Sequence, residues 1–162
     1  MKTLLALAAT LALATSAAAQ TLGIPVGSKA PAAAVETLDG KPANLSQYIG
    51  TGPVVMQFWA TWCGTCKELE PKVLAARQKY GARGVRFVGV AVAINQSAAR
   101  VKAYTRRHAL PLDVVYDRTG AASEAYDVPA TSYVVVVNRA GTVVYTGVGS
   151  DQNIDAAVRK AL

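Results

Sequence analysis

Two cysteines stand three residues apart at a point where the chain changes character. Before them, Val54–Trp59 (VVMQFW) is a short apolar run whose only polar member is Gln57. Such a run reads as a buried strand. After them, Gly64–Lys79 has helical composition, and Gly81 and Gly84 close it. The segment Phe58-Trp59-Ala60-Thr61-Trp62-Cys63-Gly64-Thr65-Cys66 therefore lies where a strand feeds a helix. A strand passing straight into a helix points to an α/β layer architecture.

That placement has a chemical reason. Cys63 falls at the helix N-terminus, where unpaired backbone N–H groups and the helix dipole favour an anion. A thiolate there is stabilised and becomes the attacking nucleophile. Cys66 lies one turn further in, close enough to close a disulfide with Cys63 and to resolve a mixed disulfide. Trp62 would cover the pair and offer an apolar docking surface. A purely structural disulfide is the plain alternative, but so short a loop removes little chain entropy. A metal site needs more ligands than two thiolates, and His108 is the sole histidine. No metal is expected, and His108 is not expected as a ligand or base. A c-type haem site would need histidine directly after the second cysteine, where Lys67 stands.

The flanking sequence alternates strands and helices. Residues 20–30 are an extended lead-in. Ala32–Thr37 and Lys41–Asn44 read as a hairpin about the Asp39-Gly40 turn. Val85–Ile94 (VRFVGVAVAI) is β-branched and apolar, a central strand. Ser97–His108 reads as a helix capped by Ser97. Leu112–Tyr116 is a short strand and Gly120–Tyr126 a short helix. Ser132–Asn138 and Thr142–Gly147 form a second hairpin, and Asp151 caps a final helix to Leu162. The expected fold class is α/β, a central mixed β-sheet flanked by helices, with an N-terminal β-hairpin extension. At 162 residues without internal repeats, one domain is expected.

The first residues read as an address. Met1–Lys2 is a short positive start, Leu4–Thr15 an apolar stretch, and Ala17-Ala18-Ala19 a small-residue cleavage site. The expectation is a signal peptide over 1–19 and a domain over 20–162. The apolar run is shorter than a bilayer span requires, so no membrane span is expected after cleavage, although a retained anchor is the alternative. The domain would work in the periplasm or as a secreted protein, where cysteines can be oxidised. The formal net charge is +7, one less once Lys2 leaves with the leader. Such a balance steers towards acidic proteins or anionic lipids. No aromatic residues interleave with a basic stripe, so nucleic acid is not expected as a partner. Arg106-Arg107-His108 ends a helix, where cations favour the dipole. It reads first as a solvated face and second as a docking patch for an acidic partner.

The Trp62-Cys63-Gly64-Thr65-Cys66 segment resembles the active site of thioredoxin-fold thiol–disulfide oxidoreductases, above all the exported TlpA/ResA-like branch. The likeness runs from about Gly27 to Gly149. Gly27-Ser-Lys-Ala-Pro31 and Leu38-Asp39-Gly40-Lys41 resemble the N-terminal hairpin of that branch, and Asn138-Arg-Ala-Gly141 a later turn. Pro71 sits where the fold carries a helix-kinking proline. Tyr126-Asp-Val-Pro129-Ala-Thr is similar to the family's cis-proline segment. The resemblance implies that the Val128–Pro129 bond is cis and packs on the cysteines, and that Val128 pairs with substrate through backbone groups, by strand addition.

The sequence also departs from the pattern. Gln57 stands where many thioredoxins carry a buried Asp, and Leu69 where the branch often has Glu. Glu68 and Glu70 flank that position, turned by about 100° each way around the helix. Deprotonation of Cys66 then falls to water, to Glu68 or Glu70, or to Lys67 electrostatically. The resemblance implies a monomeric thiol–disulfide oxidoreductase without cofactor. Its expected partners are protein substrates with cysteines, of the apocytochrome c or metallochaperone type. A membrane thiol transporter would be its electron donor. The alternatives are an oxidant that forms disulfides, and a redox-controlled metal-delivery module without turnover.

Overall fold

The computed structural model describes residues 22–162, and the leader expected over 1–19 lies outside them. The strands are β1 (Ala34–Thr37), β2 (Pro42–Asn44), β3 (Val54–Trp59), β4 (Arg86–Val92), β5 (Asp113–Asp117), β6 (Tyr133–Val137) and β7 (Val143–Gly147). The α-helices are α1 (Gly64–Tyr80), α2 (Ala98–Arg107), α3 (Ala121–Ala125) and α4 (Ile154–Arg159). The strands form one sheet in the order β2-β1-β5-β4-β3-β6-β7. Strands β3, β4 and β5 are parallel, while β1, β2, β6 and β7 join by antiparallel pairing. This is the mixed sheet with flanking helices that the alternation of elements requires.

The hairpin forms around Asp39-Gly40, with Gly40 at φ 78° and Ala34 opposite Asn44. It does not hang free, because Glu36 and Thr37 of β1 also pair with Tyr116 and Val115 of β5. The hairpin thus covers what would otherwise be an open sheet edge.

Strand β3 has the bounds expected from its apolar run, and all six of its residues are buried. Val54, Met56 and Phe58 face a core shared with Val101 of α2, Ala122 of α3, Tyr126 and Tyr133. Val55 faces the other core with α1 and α4. Helix α1 buries Cys66, Leu69, Val73, Ala76 and Tyr80, a stripe at alternating spacings of three and four. Burying such aliphatic side chains contributes about 1.5–3 kcal/mol each. The stripe fixes which side of α1 meets the sheet, and with it where Cys66 points. Pro71 lies within α1 and cannot donate to the carbonyl one turn back, at Lys67.

The last helix differs from expectation. Asn153, not Asp151, caps it, with Oδ1 accepting from the Ala156 N–H at 2.9 Å. The helix starts at Ile154 and ends at Arg159. The residues just before it are held elsewhere. Gln152 Nε2 donates to the carbonyls of Ser132 and Gly149, which keeps that stretch out of helical conformation. Two short 3₁₀ turns, Leu45–Tyr48 and Gly81–Arg83, were not expected. Among the described residues no helix is long and apolar enough to cross a membrane.

Candidate active site

The C-terminal ends of β3 and β4 carry the site, and ligand sites in open α/β sheets form at such ends. Beyond Trp59, the chain turns through Ala60–Trp62 and enters α1. Cys63 is the N-cap, in extended conformation at φ −77° and ψ 108°. Its Sγ accepts the backbone N–H of Cys66 at 3.1 Å. Cys63 and Cys66 are joined as a disulfide with Cα atoms 5.3 Å apart. Both are buried, each only 4 % exposed. The helix end supplies what a sulfur anion at Cys63 needs: a directed N–H and the positive end of the dipole.

Trp62 lies beside the pair at 42 % exposure, and its Nε1 donates to the Ile94 carbonyl at 2.8 Å. Ile94 is itself exposed, so the bond ties the Trp62 indole to a second residue with an exposed apolar side chain. The turn is tied down by Gln96. Its Oε1 accepts from the Thr61 N–H at 2.9 Å, and its Nε2 donates to the Val92 carbonyl. The Gln96 carbonyl in turn accepts from Tyr116 Oη. Asn95 takes a left-handed φ of 53°, which Asn tolerates better than most residues, and so bends this loop towards the site. The sequence reading missed Gln96 and Ile94. A lone glutamine after a strand carries no local signal of its long-range bonds.

Behind Cys66 lies a small cavity of about 10 Å³, near the room one water needs. Gln57, Trp59, Lys67, Glu70 and Tyr104 share its wall with Cys66. Trp59 Nε1 is buried and has no hydrogen-bond partner among the described residues. Its indole occupies space above Gly89, where a Cβ would come within 2.8 Å of Nε1. The Tyr104 ring centroid lies 5.6 Å from that of Trp59, tilted by 49°, and burial and then the Glu70 charge push its phenol above the ordinary range.

The expected residues are thus sorted by geometry. Cys63 and Cys66 come together, and Lys67 and Glu70 join Cys66 around the cavity. Glu68 is exposed and takes no part in that wall. Leu69, in the place of a family glutamate, is fully buried in the α1 stripe. Val128 is half-buried and packs on the core cluster that holds both cysteines. One expectation is corrected: no peptide bond among the described residues is cis, so Val128–Pro129 is trans, and Pro129 is exposed. The segment instead reverses direction through left-handed Asp127 and Ser132, at φ 46° and 65°. It returns to the sheet by a bond from the Ser132 N–H to the Phe58 carbonyl at 2.8 Å. A wide cleft of about 820 Å³, beside Thr51, Arg77, Gly84 and Arg86, lies at the opposite ends of β3 and β4 from the cysteines.

Known proteins share both the sequence and the architecture. The Redoxin family matches residues 25–162. The thiol-disulfide oxidoreductase ResA of Bacillus subtilis is 32% identical over 127 residues, 78% of this chain and 69% of that protein. ResA of Geobacillus thermodenitrificans is 29% identical over 81% of this chain and 75% of its own length. A thiol:disulfide interchange protein of the thioredoxin family from Chlorobium tepidum superposes with a TM-score of 0.65 at 27% identity. That superposition covers 83% of this chain and 96% of the other. With the paired cysteines at the head of α1, these likenesses settle the affiliation. The chain belongs to the Redoxin family, as a ResA-like, thioredoxin-fold thiol–disulfide oxidoreductase.

Proposed function

We propose that this protein reduces disulfides in partner proteins, with Cys63 as the attacking sulfur and Cys66 as the resolving one. The observation that carries the assignment of roles is the bond from the Cys66 N–H to Cys63 Sγ at the start of α1. It stabilises negative charge on Cys63 and on no other sulfur. The Cys63 thiolate attacks one sulfur of the partner's disulfide. A mixed disulfide forms, and the partner's other sulfur leaves as a thiolate. Cys66 then loses its proton and attacks Cys63 Sγ. The intramolecular disulfide forms and the partner's second thiolate is released. Two electrons pass to the partner, and a donor dithiol must return the pair to the reduced state.

Glu70 is the proton acceptor in this reading. It shares the cavity behind Cys66, and that cavity has room for one bridging water. Lys67, on the same wall, favours the thiolate electrostatically. Trp62 and Val128 dock the partner segment, and Pro129 lies at the edge of that surface.

The reductive direction, and partners of the apocytochrome c or metallochaperone type, rest on the likeness to ResA. So do a membrane thiol transporter as donor and a monomeric state, while work outside the cytoplasm rests on the leader pattern of residues 1–19. Equilibration with glutathione buffers, read by thiol alkylation of Cys63 and Cys66, tests the direction. A potential near or below about −250 mV is expected. A value near about −120 mV would make the protein an oxidant instead.

A further inference from the structure

We propose that the cleft next to the redox pair is an anion site, which selects partner polypeptides carrying a carboxylate close to the target disulfide. The inference rests on the oxidoreductase reading and names the substrate class of that site. The cleft has a volume of about 380 Å³, and Thr61, Lys67, Arg100, Tyr104, Arg107 and His108 share its wall. Arg100, Tyr104 and Arg107 recur at helical spacing, so they lie along one stripe of α2. Lys67 comes from α1 and Thr61 from the turn before Cys63. Cationic side chains of two helices therefore converge on one concavity. His108 is stacked on Tyr104, ring centroids 4.1 Å apart, which holds the imidazole at the rim.

These cations lack internal partners. The ion pairs among the described residues are Lys79–Asp155, Lys102–Asp39, Arg118–Glu36 and Arg159–Asp155. On α2 itself Lys102 is neutralised, whereas Arg100 and Arg107 are not. Glu70 lies in the neighbouring cavity behind Cys66, which shares Lys67 and Tyr104 with the cleft. Glu68, also on α1, is exposed and forms no part of the cleft. The second observation is independent of charge. Thr61 is 6 % exposed, and its Oγ1 is buried without a hydrogen-bond partner among the described residues. The hydroxyl has no exposed surface in this rotamer, and a turn of the Thr61 side chain into the cleft would let an incoming acceptor recover the free energy of the missing bond. Unpaired cations around an unsatisfied hydroxyl fit a carboxylate. The cleft borders the turn that leads into Cys63, so a segment docked on Trp62 and Ile94 can place a neighbouring acidic side chain in it. A concave site at the redox pair suits a side chain better than a flat lipid surface.

The test uses two peptides in which serine replaces the target cysteines, one flanked by glutamates and one by glutamines. Each is titrated against the oxidised protein, with the His108 imidazole resonances as readout. The glutamate peptide is expected to bind more tightly, with added salt removing the difference. Arg100→Gln with Arg107→Gln lowers that preference about tenfold, and Thr61→Val lowers it to a lesser degree. Arg83→Gln with Arg139→Gln removes the same charge far from the cleft and leaves the preference intact. Equal binding of both peptides overturns the proposal, as does an equal loss in the remote double variant. Binding of anionic phospholipid vesicles but not of the glutamate peptide also overturns it. Disulfide exchange is followed separately with the cystine forms of both peptides. Intact binding preference without any exchange defeats the oxidoreductase reading alone. Exchange at equal rates without a binding preference defeats the anion site alone.

Discussion

The backbone N–H of Cys66 donates to Cys63 Sγ at 3.1 Å, so one redox sulfur caps the helix that carries the other. The capping geometry makes the two cysteines unequal. Cys63 sits outside the first turn, at the positive end of α1. Cys66 sits inside that turn, in the buried stripe, against the cavity shared with Glu70. On the proposed function, this difference in environment sets the order of chemical events: Cys63 attacks, and Cys66 waits for a proton acceptor.

Glu70→Gln is expected to slow the resolving step by at least about tenfold, within the range seen for a lost general base. Glu68→Gln, on the exposed side of α1, is expected to leave it unchanged. Single-turnover decay of a mixed disulfide, followed in both variants, measures this. Equal slowing by both substitutions would remove Glu70 from the role.

Gly89 makes room for Trp59. A Cβ there would stand 2.8 Å from Trp59 Nε1 and 3.5 Å from Val114 Cγ2. Gly89→Ala should therefore displace the indole and destabilise the protein by about 1–3 kcal/mol. Urea unfolding monitored by tryptophan fluorescence checks the size. A change within about 0.5 kcal/mol would show that the ring moves freely.

Gln152 holds the segment that follows Pro129. Its Nε2 donates to the carbonyls of Ser132 and Gly149, and Ser132 Oγ accepts from the Gly149 N–H. Gln152→Leu leaves the buried Ser132 carbonyl and the half-buried Gly149 carbonyl without this donor and is expected to cost about 1–3 kcal/mol. Hydrogen exchange of the Ser132 and Gly149 amides should quicken more than exchange at β3. Uniform quickening would mean that Gln152 acts on global stability alone.

Asp155 links α4 to α1. Hydrogen bonds from Lys79 and Tyr80 hold its carboxyl below the ordinary value of 3.8, with Arg159 adding its charge. A depressed value in the folded state means stability that is present above the unfolded value and lost as pH falls through the folded one. Melting temperatures of the native protein and Asp155→Asn should differ most near neutral pH. They should converge as pH falls through the folded value. A constant difference across the range would contradict the linkage.

Much of this architecture is legible in the sequence. The run VVMQFW has only one polar member, and its strand bounds agree with β3. Ser97 caps α2 as its residue type implies, with Oγ accepting from the Arg100 N–H. The cysteine spacing at a strand-to-helix junction placed both sulfurs together. What escaped reading depends on long-range contacts. Asp151 and Asn153 are both good capping residues, and only the bonds of Gln152 to Ser132 and Gly149 select the second. Likewise Gln96 fixes the Thr61 turn from 35 positions away. The trans Val128–Pro129 bond departs from the family likeness rather than from any local rule, since trans is the ordinary state of such a bond.

The most direct test compares Cys66→Ser with Cys63→Ser in the reduced state against a disulfide-bonded protein substrate. Cys66→Ser is expected to accumulate a stable mixed disulfide through Cys63, visible by non-reducing electrophoresis and mass spectrometry. Cys63→Ser is expected to form none and to lose turnover. Trapping through Cys66 in Cys63→Ser, or turnover by Cys63→Ser equal to that of the native protein, would contradict the account.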